Sequence, residues 1–197
     1  MVLMKLDKNT NYIVSGLERS GTSMLMQIIN AGAIPIAFDN NRPADEFNPK
    51  GYYELLGGKI INKLIEKTFP IEKYKGKFIK ITSYGLKFLP KARYKIIYSE
   101  RDFEEILDSM ERMMGKKEKD RAESKKNLIK LNNAIKKEIQ EKKQLEVLFV
   151  NYNNILKNPK NNIKKILDFL NLTYDNLDKM VKAVDKKLYK PRIKQNK

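Results

Sequence analysis

The stretch Gly16-Leu17-Glu18-Arg19-Ser20-Gly21-Thr22-Ser23 constrains the fold more than any other part of the chain. It follows a short apolar run, Tyr12-Ile13-Val14-Ser15, that reads as a strand, and it precedes Met24-Leu25-Met26-Gln27-Ile28-Ile29, which reads as a helix. Strand, glycine-bounded loop and helix together make an anion site, because loop N–H groups and the positive end of the helix dipole converge on one point. The spacing is that of a phosphate-binding loop, G-x-x-x-x-G-K-[ST], with Thr22 in place of the lysine. A nucleoside triphosphatase without that lysine lacks its main contact to the β- and γ-phosphates. The loop is therefore expected to hold a phosphate-like group, with Arg19 as its nearby cation, and not to hydrolyse ATP. Taken alone, it also fits a β–α turn with no ligand.

Composition narrows the rest. A length of 197 residues fits one domain, 1–197, with a real core, and 41% hydrophobic against 33% charged residues is globular, not disordered. The net charge of +17 comes mostly from lysines spread along the chain beside many Asn and Ile, so it does not mark a dedicated nucleic-acid face. The chain has no Cys and no His, which excludes thiol nucleophiles, Cys/His zinc sites and every Ser-His-Asp arrangement. No apolar run is long enough to span a bilayer, and the first residues lack a signal-peptide core, so a soluble cytoplasmic protein is expected.

Along the chain, strand and helix patterns alternate. Residues 22–30 and 56–67 read as helices; residues 77–82 and 94–99 read as strands. A helix follows Glu100-Arg101-Asp102, with Phe103, Ile106, Leu107 and Met110 on one face. Residues 115–126 are nearly all charged and read as a solvated connection or a lid, with a helix beginning near Ser124 and running to Lys142. Residues 145–150 are apolar enough for a central strand. Pro159 opens a further helix, residues 174–184 read as one more, and 186–197 form a basic tail. Such alternation implies an α/β fold, three layers α/β/α, around a mostly parallel sheet of about four to five strands. Ligands then sit beyond the carboxyl ends of the strands, where the loop, Arg101 and the segment after Val150 all fall.

Three of these stretches resemble the sulfotransferases that use 3′-phosphoadenosine 5′-phosphosulfate (PAPS). Leu17-Glu18-Arg19-Ser20-Gly21-Thr22-Ser23 resembles the family's 5′-phosphosulfate loop, [LP]-x-[KR]-S-G-T-[TS]. Arg101, with Ser109 eight residues on, resembles its 3′-phosphate motif. Val150-Asn151-Tyr152-Asn153-Asn154-Ile155-Leu156, followed by Pro159, resembles the V-x-Y-E-D-L…P segment of bacterial and tyrosylprotein-type members, and Asn48-Pro49-Lys50-Gly51-Tyr52-Tyr53-Glu54 resembles a segment of the bacterial branch. The resemblance implies a P-loop-like fold and PAPS as donor, with PAP as product and no metal requirement. It implies contacts to the 5′-phosphosulfate from Gly16, Arg19, Ser20, Gly21, Thr22 and Ser23, the backbone N–H groups of residues 20–23 included. Arg101 and Ser109 would hold the 3′-phosphate, Tyr152 would also contact the cofactor, and Arg192 in the tail would reach the 3′-phosphate as tail residues do in relatives. Glu18, and Asn153-Asn154 in place of Glu-Asp, depart from the family pattern.

The same resemblance leaves the general base open. Many members use a histidine in K-T-H; Lys80-Ile81-Thr82 keeps the lysine without the histidine. Glu54, Asp39 and Glu46 are the candidate carboxylates, ranked Glu54 first for its apolar and aromatic neighbours, then Asp39. Lys80 would assist the leaving phosphate. Two rival readings stand beside the sulfotransferase: a P-loop nucleoside or small-molecule kinase, and an inactive relative that binds nucleotide or polyanion. The acceptor (small molecule, carbohydrate or peptide) is not legible, nor is the oligomeric state.

Overall fold

The computed structural model describes residues 4–190. Four strands form one parallel sheet: β1 (Asn11–Gly16), β2 (Phe78–Lys80), β3 (Tyr94–Glu100) and β4 (Leu145–Asn151), in the order β2-β1-β3-β4. Seven helices accompany them among the described residues: α1 (Thr22–Ala31), α2 (Ile60–Ile65), α3 (Phe103–Met114), α4 (Arg121–Glu141), α5 (Tyr152–Lys157), α6 (Pro159–Phe169) and α7 (Leu177–Ala183).

The three layers follow from the two-residue period of the strands. Val14 and Ile97 pack on one side with Leu25, Ile28 and Ile29 of α1, Ile163 and Ile166 of α6, and Met180 of α7. Ile13, Ile79 and Ile96 pack on the other with Ile60 and Leu64 of α2 and Ile135 and Ile139 of α4. Both faces are covered, so the strands read as continuous apolar runs.

Three expectations need correction. β4 lies at an edge, not in the centre. Its apolar run reports that both of its faces are covered, by α4 on one side and α5 and α6 on the other, and says nothing of its place in the order. Residues 115–126 are a largely exposed connection only as far as Asp120. α4 already starts at Arg121, capped by the Asp120 carboxylate, which accepts from the Glu123 N–H at 2.9 Å. Arg121 pairs with Glu104, Asp108 and Glu111 of α3, and Lys125 pairs with Glu104 at 2.8 Å. In a run of charges, the residues that clamp α4 to α3 look like those that face water. The helix expected over 56–67 is also shorter: a 3-10 turn at Leu56–Gly58 precedes α2, with Gly57 and Gly58 at positive φ.

The register brings the functional segments to one edge. Gly16 lies opposite Ser99, and Glu100 opposite Asn151, so the chain leaves β1, β3 and β4 side by side. The direction of winding reverses between β1 and β3, which places the crevice of an open α/β sheet between the loop after β1 and Arg101 after β3.

Candidate active site

Residues 16–23 fold as a tight loop that calls for glycine at positions 16 and 21. Gly16 is at φ 147, and a Cβ there would lie 2.6 Å from the Ser99 carbonyl oxygen. Gly21 is at φ 103, and a Cβ there would lie 2.3 Å from the Tyr152 ring. Both positions need glycine for conformation and for space. Arg19 adopts the left-handed conformation at φ 64 without being glycine, a strain typical of sites where the backbone is shaped for a ligand.

The head of α1 is built for an anion. Gly21 caps it with no side-chain hydrogen bond, and its first turn has no acidic residue, whereas Asp102 and Asp120 cap α3 and α4. The first-turn N–H groups therefore still need a partner. The buried Ser20 Oγ has none either. One detail differs from expectation: the Ser20 N–H is spent on the Leu17 carbonyl at 3.1 Å, so the donors toward a ligand begin at Gly21.

A cleft of about 290 Å³ opens at this point, lined among others by Arg19, Thr22, Ser23, Glu54, Lys80, Arg101, Ser109 and Tyr152. The side chains singled out in the sequence meet there. Arg19 Nε donates to Ser109 Oγ at 2.9 Å, joining the loop to α3, and its NH2 reaches the Phe47 carbonyl at 3.4 Å. Arg101 NH1 donates to the Arg19 carbonyl at 3.1 Å, and its guanidinium lies 4.4 Å from the Tyr152 ring centroid. Tyr152 is buried against Gly21. Tyr189 closes this end, its ring 6.2 Å from that of Tyr152.

Lys80, 6% exposed at the end of β2, donates from Nζ to Ser23 Oγ and to the Tyr52 carbonyl, both at 3.0 Å. Its Nζ is also 3.0 Å from Glu54 Oε1, while Glu54 Oε2 accepts from Arg42 NH1 at 3.0 Å. Burial pushes the Lys80 ammonium below its ordinary pKa; Glu54 opposes that push, and Arg42 and Arg19 add to it. The Arg42 guanidinium also stacks on the Tyr52 ring at 3.5 Å, and the Tyr52 hydroxyl donates to Asp45 at 2.6 Å.

Of the candidate carboxylates, Glu54 and Glu46 line the cleft and Asp39 does not. Asp39 instead accepts from the N–H groups of Asn41 at 2.9 Å and Leu56 at 2.6 Å, which fixes the loop on which Arg42 sits. Arg192 lies outside the described residues. Sequence reading passed over Arg42 and Glu105 and gave Asn48 no role in the site. Asn48 Nδ2 donates to Ser23 Oγ at 2.9 Å. Glu105 pairs with Arg101 Nε at 2.9 Å, and its other oxygen accepts from Asn153 at 2.8 Å and from Tyr189 at 2.9 Å. The i,i+4 spacing of Arg101 and Glu105 was a usable signal; nothing local pointed to Arg42.

The family described as sulfotransferase domain matches residues 9–197 by its family model. No curated protein matches the sequence. Among solved structures, the chain is similar to the sulfotransferase domain of the Synechococcus PCC 7002 olefin synthase. The TM-score is 0.54 and the identity 14%, over 94% of this chain and 82% of that one. It is similar to a mouse sulfotransferase complexed with PAP, at TM-score 0.51 and 15% identity, covering 90% of this chain and 64% of that one. It is also similar to a retinol dehydratase in complex with retinol and PAP, at TM-score 0.51 and 14% identity, covering 95% of this chain and 67% of that one. At such identities the likeness to these structures is one of fold.

Proposed function

Because this chain belongs to the sulfotransferase domain family, we propose that it moves a sulfuryl group from PAPS to a hydroxyl or amine acceptor by in-line transfer. The observation that carries this reading is the meeting, in one cleft, of a lysine-free phosphate loop with Arg101 and Ser109. The kinase alternative is not favoured, since Thr22 stands where a kinase loop needs its lysine. The residues 4–190 contain no helix long and apolar enough to cross a membrane, and we place the protein in the cytoplasm as one domain.

The uncapped head of α1, the partnerless Ser20 Oγ and the hydroxyls of Thr22 and Ser23 fit a 5′-phosphate. Arg101 offers a guanidinium at the 3′-phosphate end, with Ser109 as a neutral donor and Tyr152 as an aromatic wall. Bound there, PAPS supplies the sulfuryl group. Transfer of this kind is mainly positioning and stabilisation of charge on equatorial and leaving oxygens. Arg19, oriented by Ser109, is assigned the charge on the transferring group. Lys80, with a proton held loosely by burial, donates a hydrogen bond to the departing phosphate oxygen. Glu54 takes the acceptor's proton. Since both of its oxygens are ion-paired, it exchanges the pair with Lys80 for that proton as Lys80 turns to the phosphate.

Calorimetric titration tests the donor. PAP is expected to bind at micromolar level, ADP and ATP–Mg²⁺ far more weakly, and Arg101→Ala to lose the preference for PAP. No PAP binding by the wild-type chain would sink the PAPS reading, and tight ATP–Mg²⁺ binding would restore the kinase. Glu54→Gln is expected to lower kcat by about a hundredfold or more while leaving PAP affinity nearly unchanged. An unchanged kcat would remove Glu54 from the role of base.

A further inference from the structure

The guanidinium groups on the cleft differ in one respect. Arg42 is paired with Glu54, Arg101 with Glu105, and Arg19 donates to Ser109 Oγ and the Phe47 carbonyl. Arg112 lines the same cleft, partly buried, and none of its donors has a partner among the described residues. A guanidinium carries five N–H donors and cannot lose its charge, so one that faces the cleft with no protein partner is placed to receive an anion.

Position along α3 says which ligand. Arg101 precedes the helix, at the nucleotide end. Ser109, the neutral donor assigned to the 3′-phosphate, also accepts from Arg19, so it stands between that phosphate and the group Arg19 is assigned to. Arg112 is three residues further, about 4.5 Å along the axis and on a neighbouring face. It therefore lies past the residues assigned to the donor, beside Met113 and on the same cleft as Phe47 and Pro49, which offer apolar surface. The other uncommitted charges on the cleft, Glu18, Glu46, Lys187 and Lys190, are exposed, two of each sign, so among the described residues Arg112 is the one partly buried charge there without a partner. We propose that Arg112 recognises an anionic group of the acceptor, so that the chain sulfates molecules bearing a carboxylate or sulfonate-like oxyanion beside the hydroxyl or amine that receives the sulfuryl group. This deepens the transferase reading above and depends on it.

Matched phenols test it by calorimetry on the protein saturated with PAP: 4-hydroxyphenylacetate and 4-hydroxybenzenesulfonate as anions, 4-methylphenol as neutral and tyramine as cation. At least one anion is expected to bind about tenfold more tightly than the neutral and cationic probes. Arg112→Met should erase that preference while PAP affinity stays within about twofold, and Arg112→Lys should keep part of it, because the charge remains but the fork geometry does not. Equal binding of anionic and neutral probes, no measurable binding of the anions, or a preference that survives Arg112→Met overturns the proposal. So does a loss of PAP affinity in Arg112→Met, which assigns the residue to the donor. Failure of the wild-type chain to bind PAP is a separate result, against the transferase reading, and the probe series on the free protein then still reports whether Arg112 selects anions.

Discussion

Arg19 carries two opposing demands. Its backbone sits in the left-handed region at φ 64, where a side chain is disfavoured by roughly 1–2 kcal/mol. Its side chain meanwhile links the loop to Ser109 and Phe47. Replacing it separates the two effects. Arg19→Gly is expected to be about 1 kcal/mol more stable than Arg19→Ala in chemical denaturation, while both lose at least about a hundredfold in kcat. Equal stability of the two variants would mean that the loop relaxes out of the left-handed conformation when the side chain is removed. Glu105 gives a pH signature. Burial pushes its carboxyl up, but hydrogen bonds from Arg101, Asn153 and Tyr189 outweigh burial and hold its pKa below the ordinary 4.5. A carboxylate lowered in the folded state contributes stability that is fully present above the unfolded pKa and is lost as pH falls through the folded one. The difference in unfolding free energy between wild type and Glu105→Gln should therefore be largest near neutrality and shrink on acidification below about pH 4.5. A gap that stays constant with pH would mean that the ion pair with Arg101 adds nothing net.

Among elements, α3 reaches the cleft with one face and is held by α4 on the other. Its inner face carries Ser109 and Arg112 to the cleft; its outer face presents Glu104, Asp108 and Glu111 to a single guanidinium, Arg121 at the start of α4. Burial works against the Arg121 charge, yet the three carboxylates outweigh it and raise its pKa. Asp108, with a side chain only 5% exposed, has little access to water if Arg121 is lost. Arg121→Met is thus expected to cost about 3 kcal/mol, read from urea unfolding, because it takes a guanidinium from three partly buried carboxylates and leaves their charges in place. The double variant Arg121→Met, Asp108→Asn should recover part of the loss. A cost below about 0.5 kcal/mol would put the pair in the class of surface ion pairs. The loop from Asp39 to Glu54 is fixed differently, by Asp39 on the Leu56 N–H, by Asp45 on Tyr52, and by Glu54 between Arg42 and Lys80. It is a wall of the cleft set by hydrogen bonds, and its sequence shows no periodic pattern that would announce it.

For the whole molecule, one sheet separates two apolar clusters that share its strands. Far-ultraviolet and aromatic signals are therefore expected to report one coincident thermal transition, and PAP at a hundredfold its dissociation constant should add about 2.7 kcal/mol to stability. Two separated transitions would split the chain into independent units. The sequence alone determined the strand–loop–helix unit and the alternation of strands and helices, and it singled out Arg19, Lys80, Arg101 and Ser109, which line one cleft. Those are local properties: glycine spacing, a two- or 3.6-residue period, and residue types at the ends of strands. Only the tertiary structure decided that β4 lies at an edge, that residues 115–126 hold a clamp, that Glu105 and not solvent faces Arg101, and that Glu54 shares its charge between Lys80 and Arg42. Strand order and ion pairing are set by contacts between residues far apart in the chain. An acidic residue has the same letter whether it caps a helix, as Asp102 does, or holds a buried lysine beside the cleft, as Glu54 does, and only its neighbours in space distinguish the two.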